Sequence, residues 1–190
     1  MRFITGLCVL VISTPLAGQS APTGPTDRGS KIIGGTASVS HTSGGGGSTG
    51  ISLQPSLLHF IADRVALGGG VGFGYSDNDN GSTTSWRLGP EVRFYFGPST
   101  SKTIPYLGAA VQVGSSSTDS DAGPGSVSAD ASFWGLEGVA GLTFMISRQV
   151  GIAGEAFLQR DELTFESALS DVTTSTTRFG LRFGIAAFVF

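Results

Sequence analysis

Seven ionic residues of this chain stand in stretches otherwise built from glycine and bulky apolar side chains. Arg87, Glu91 and Arg93 share one parity of "SWRLGPEVRFYFG". Glu137 lies in "FWGLEGVAGLTFM", Glu155 in "GIAGEAFL", and Arg178 and Arg182 in "RFGLRFGIAAFVF". Charges in such company need partners, and guanidinium groups form bidentate bridges with carboxylates. Three carboxylates and four guanidinium groups can serve two chemistries: fixed bridges that fill an interior, or bridges that rearrange to pass ions. The spacing favours the first.

Other chemistry-bearing residues carry less. His41-Thr42-Ser43 pairs a base with a hydroxyl, as an acyl hydrolase would. A nucleophile also needs an orienting acid, and this pair runs into "GGGG" with no carboxylate nearby. Asp77 and Asp79 in "DNDNGS" offer two oxygen ligands for Ca²⁺ but lack the distal bidentate Glu of a full acidic loop. His59 is expected near a membrane interface, and two isolated histidines make no metal site. No catalytic residue, cofactor or metal ligand is therefore expected.

The elements that position the ions follow from composition and period. Glycine accounts for 30 of 190 residues, phenylalanine for 13, and charged residues for only 13%. This is too apolar for disorder and too glycine-rich for helices. A net charge of −3 without a basic patch excludes nucleic acid as a partner. Residues 1–18 read as a cleaved signal peptide: Arg2, the short apolar run "ITGLCVLVIS", then the small residues of "TPLAG". Cleavage would remove Cys8, the chain's one cysteine. Residues 19–30 are expected to be a flexible linker and 31–190 a single domain.

From Lys31 onward, alternation over about ten residues recurs between turn signals. It predicts strands over 31–41, 51–61, 65–76, 85–96, 104–114, 132–146, 150–160 and 176–190. In "VALGGGVGFGYS" one parity holds Val65, Leu67, Val71, Phe73 and Tyr75, while the other is nearly bare glycine. The bulky parity carries no Asp, Glu, Lys or Arg in any strand from the second on, and the ions occupy the opposite parity. That is the pattern of a sheet with lipid on one side and a narrow lumen on the other, small residues there leaving room for long ones. Connectors alternate between short (62–64, 97–103, 147–149) and long (42–50, 77–84, 115–131, 161–175). Asp119, Asp121, Asp161, Glu162, Glu166 and Asp171 are expected to form an acidic outer rim on the long ones.

The expected fold is all-β: a closed eight-stranded antiparallel up-and-down transmembrane β-barrel, with both termini at the short-turn end. An open edge would leave backbone groups unpaired in lipid, so the last strand must return to the first. Strand one, with its sparse Ile33, Ala37 and Val39 face, gives the weakest signal. Phe188 and the final Phe190 read as an aromatic C-terminal assembly signal, yet they share the inward parity of Arg182. A bulge near Gly184, or emergence from the hydrocarbon at the rim, would reconcile the two.

"SLQPSLLHFIADRVALGGGVGFGYS" resembles a hairpin of the small outer-membrane β-barrel family, OmpA/OmpX-type. "GPEVRFYFG", "IPYLGAAVQVG", "GLEGVAGLTFMISRQVGIAGEAFL" and "RFGLRFGIAAFVF" are similar to its later strands, in order. The resemblance implies an eight-stranded barrel in the bacterial outer membrane. From the residues themselves, the apolar face is expected to meet outer-membrane lipid, the acidic loops lipopolysaccharide or a surface partner, and the terminal aromatics the barrel-assembly machinery. The inward ions lead to a structural, envelope-integrity or surface-interaction role with a salt-bridged, plugged lumen. A small passive diffusion pore is the alternative, followed by a lipid-modifying outer-membrane enzyme. A secreted soluble barrel, with bulky residues inside and Arg87, Glu91 and Arg93 outside, also stays open.

Overall fold

The computed structural model describes residues 23–42, 48–79, 81–120, 127–165 and 172–190. Eight strands follow one another: β1 (Lys31–Thr42), β2 (Ser48–Ala62), β3 (Val65–Asn78), β4 (Gly81–Tyr95), β5 (Thr103–Ser120), β6 (Val127–Met145), β7 (Val150–Phe165) and β8 (Val172–Val189). Each pairs antiparallel with its sequence neighbour, and β8 pairs with β1, closing an up-and-down barrel. The ladder lapses beside Pro55 between β2 and β3 and beside Pro90 between β4 and β5, because proline supplies no N–H.

The strands match the predicted bounds to within one residue at the short-turn end and run further at the long-connector end. Polar stretches expected as long connectors are largely β-structure: Asp77 pairs with Ser82, and Ser115–Ser120 pairs with Val127–Ser132. Ser, Thr, Asp and small residues dominate there and bulky apolar side chains are scarce, so hydrophobic periodicity gave no strand signal. Cross-strand backbone bonding nonetheless continues from the templates below. Of the residues singled out in the sequence, the 1–18 leader with Cys8, and Ser43, Asp121, Glu166 and Asp171, lie outside the described residues.

The barrel is turned inside out relative to a soluble one. Ile33, Leu53, Phe73, Leu107, Leu142 and Phe183 are all more than half exposed on the outer wall, and the described outer wall is apolar at every strand. On β6 the outward apolar run extends from Trp134 to Ile146. Strand steps of about 3.3 Å tilted by about 40° make that run about 30 Å tall, the thickness of bilayer hydrocarbon. Above it, the Trp134 indole Nε1 donates to Glu162 Oε2 at 3.1 Å, as expected where a ring meets the wet interface. This polarity removes the soluble alternative, since Glu91 and Glu137 are buried.

Residues 23–30, the last two thirds of the span expected to be a flexible linker, are folded under the short-turn end. The Phe60 N–H donates to Ser30 O, Gly29 N–H to Phe60 O, and Arg64 N–H to Thr26 O, so the segment extends the β2 ladder. Thr26 and Ser30 are buried. Pro/Gly/Ser composition marks irregular backbone, but it does not say whether a neighbouring sheet end captures that backbone.

Closure between β1 and β8 spans only the lower wall. Seven pairs run from Lys31↔Val189 to Ala37↔Phe183. Above them the described part of β1 pairs with β2 alone, and β8 pairs with β7 alone.

Candidate functional site in the lumen

The space inside is organised by cross-strand pairs of a large side chain with a glycine. Arg87 faces Gly72, Tyr106 faces Gly141, and Phe157 faces Gly180. A Cβ at Gly141 would lie 2.6 Å from the Tyr106 hydroxyl, and one at Gly180 would lie 2.9 Å from the Phe157 ring. The bare parity of β3 and its counterparts therefore supplies room for the arginines and rings of adjacent strands.

At mid-lumen, five ionic side chains from four strands converge. Arg182 Nη2 lies 2.9 Å from Glu137 Oε1 and its Nη1 lies 3.1 Å from Glu137 Oε2, a bidentate bridge. Arg182 Nε is 2.9 Å from Glu155 Oε1. Arg93 pairs with Glu91 on its own strand and approaches Glu155 at 3.6 Å. Tyr106 donates its hydroxyl to Glu155 Oε2 at 2.8 Å, and Arg182 reaches across to Gln54 Oε1 at 2.5 Å. Both guanidinium groups also cover rings: Arg93 over Tyr106 at 5.0 Å and Arg182 over Phe157 at 4.6 Å. Charges this deep are held only when paired and hydrogen-bonded, and here the bonding is nearly complete.

Toward the short-turn end the ionic layer rests on an aromatic one. Phe60, Tyr95, Tyr106 and Phe188 cluster with Ile32, Leu58 and Ile104, and the Tyr95 ring lies 5.4 Å from Phe60 and 5.2 Å from Tyr106. Phe188 is 1% exposed, and Phe190 packs against the same cluster. The parity conflict at Phe188 is thus resolved by neither expected route. The β8 register runs unbroken through Gly184, and the ring points inward because the lower lumen is itself apolar.

Toward the loops lies a cavity of about 590 Å³, where Ser38, Ser52, Ser85, Arg87, Asp161 and Arg178 share the lining with apolar residues such as Phe133, Phe157 and Leu163. Asp161, expected on the outer rim, is 2% exposed inside the lumen. It pairs with Arg178 and accepts from Gln159 Nε2 at 2.7 Å. The misassignment arose because β7 continues past residue 160, keeping Asp161 on the inward parity of Glu155. Arg87 donates to Gln159 Oε1 at 2.6 Å and to Gln112 Oε1 at 3.4 Å. Among the described residues no carboxylate comes within ion-pair distance of it.

All seven ionic residues singled out in the sequence therefore face the lumen, at two levels. Glu91, Arg93, Glu137, Glu155 and Arg182 form the middle layer; Arg87 and Arg178 belong to the cavity above. The reading of the sequence missed Asp161, Gln112, Gln159, Tyr95, Tyr106, Phe157 and the aromatic floor. All lie on the inward parity, so extending the alternation past the charges would have found them. His59 is exposed on the outer wall, beside Lys31, and His41 and Thr42 end β1. Among the described residues no cluster of His, Cys, Asp and Glu could hold a metal ion.

No family model matches the chain, and no curated protein matches it. Solved structures do. Neisserial surface protein A is 16% identical, with 83% of this chain covering 94% of that one at a TM-score of 0.49. A major outer-membrane protein from Thermus thermophilus is 14% identical, with 84% covering 99% at 0.49. The N-terminal β-barrel domain of Pseudomonas aeruginosa OprF is 11% identical, with 86% covering 98% at 0.47. By its own strand count, order and registers, the chain is a closed eight-stranded antiparallel up-and-down barrel.

Proposed function

We propose that the protein is an integral outer-membrane barrel without enzymatic activity, whose lumen is plugged and whose work is structural or done at the loop surface. The outer wall supports the location: an apolar belt about 30 Å tall that water would not tolerate and acyl chains would. The observation that carries the plugged lumen is the stacking of two layers. A solute would have to part the Arg182–Glu137–Glu155–Arg93 network and then pass the Phe60, Tyr95, Tyr106 and Phe188 rings. Rearranged salt bridges alone would not open a path, because the Phe60 and Phe188 rings of the floor take no part in them.

The expected partners are outer-membrane lipid and lipopolysaccharide at the wall, the barrel-assembly machinery during insertion, and a surface partner at the loops. Recognition of Phe188 as an assembly signal would have to precede closure, since its ring ends up inside the finished barrel. Planar bilayers doped with purified, heat-modifiable protein test the plug. Silent membranes are expected, and stable single-channel steps would overturn the reading in favour of a diffusion pore.

A further inference from the structure

Above the ionic layer, both the wall and the cavity leave something unmatched. From Ser38 upward on β1 and from Arg182 upward on β8, two strand edges run without a shared ladder among the described residues. Unpaired backbone in hydrocarbon is costly. The outward side chains flanking this seam are apolar and unusually bare: Phe179 is 85% exposed and Val39 75%, the two highest values among the large hydrophobics, with Leu181 at 65%. The seam also bounds the upper cavity, which is lined by Ser38 and Ser40 on one edge and by Thr176 and Arg178 on the other.

The cavity has a charge preference. Three guanidinium groups, Arg87, Arg178 and Arg182, line it with a single carboxylate, Asp161; Arg182 is held from below by Glu137 and Glu155, and Asp161 is bonded to Arg178 and Gln159. Arg87 has the Gln112 and Gln159 amide oxygens and the Phe133 ring, and no carboxylate among the described residues within ion-pair distance. Serine and threonine hydroxyls surround it. At about 30 Å³ per molecule, the cavity holds about twenty waters, enough for a compact head group.

We infer that the upper lumen seats the phosphate head of an anionic single-chain amphiphile, which enters sideways from the membrane through the β1–β8 seam. Arg87 takes the charge, the hydroxyls solvate the polar linker, and the acyl chain stays outside against Val39, Phe179 and Leu181. The chain then covers the bare edge that the ladder does not. This rests on the membrane-spanning reading and adds a ligand to it.

The test uses full-length barrel in phosphatidylcholine nanodiscs, with heat-modifiable migration as the independent check of insertion. Three probes are compared: lysophosphatidic acid carrying a mid-chain diazirine, a monoacylglycerol with the same chain, and glycerol 3-phosphate. Saturable binding of the first is expected, at least about tenfold tighter than the other two, with Arg87→Gln weakening it about tenfold or more. Photolysis should label peptides containing Val39, Phe179 or Leu181. Equal binding of glycerol 3-phosphate would reduce the site to a free-anion cavity and overturn the lateral route. Equal binding of the monoacylglycerol, indifference to Arg87→Gln, or labels scattered around the outer wall would overturn the head-group site. A barrel that fails to insert would sink the membrane reading itself.

Discussion

Replacing Arg182 with methionine removes the hub of the lumen network while keeping most of the side chain's bulk. Glu137, 4% exposed, loses the only ion pair it makes among the described residues. Glu155, 3% exposed, keeps the Tyr106 hydroxyl at 2.8 Å and Arg93 at 3.6 Å. Breaking a buried pair by removing one partner costs about 3–5 kcal/mol, most of it the penalty for the orphaned charge. With a urea slope of about 2 kcal/mol/M, a loss of about 4 kcal/mol lowers the unfolding midpoint by about 2 M. Trp86 and Trp134, both on the lipid-facing wall, report the transition in vesicles through their emission. The orphan argument also fixes which second substitution rescues. Adding Glu137→Gln should recover about half of the loss, whereas adding Glu155→Gln should recover little, because Glu155 is still partnered. A loss below about 1 kcal/mol, of the size expected for an exposed pair, would refute the reasoning that Glu137 is left as an orphaned buried charge. So would equal rescue by the two glutamines.

Three further outcomes follow from the same geometry. Gly141→Val should destabilise by about 1–3 kcal/mol through overpacking against Tyr106. Gly138→Val, on the lipid face of the same strand with open space around its Cβ, should be neutral in the same urea titration. Ala140→Arg, near the middle of the outward β6 run, should cost about 2–4 kcal/mol, and Ser132→Arg, above Trp134, about 0–1 kcal/mol. Equal costs would mean the belt is misplaced. Phe188→Ala should cost about 3–5 kcal/mol through the cavity it leaves in the floor, measured by the same unfolding, while bilayers remain silent because the ionic layer above it is intact.

How much of this was legible beforehand depended on which residues spoke. Alternation in "VALGGGVGFGYS" and the absence of charge on the bulky parity determined the strand count, the inside-out polarity and the inward facing of Arg87, Glu91, Arg93, Glu137, Glu155, Arg178 and Arg182. A lipid environment allows one face only one kind of side chain, so a one-dimensional pattern suffices to orient the wall. Pairing inside the lumen was not legible. Which carboxylate meets which guanidinium depends on strand register and stagger, and these set Arg182 opposite Glu155 on the neighbouring strand and within reach of Glu137 on the next. The same register drew Asp161 off the expected rim and turned Phe188 into the floor, because the inward parity continues past the point where the hydrophobic signal fades. It also stopped the β1–β8 ladder at Ala37 and Phe183. Sequence alternation carries a face but no neighbour. Only the closed barrel decides who stands across the bore, and where the wall is left open.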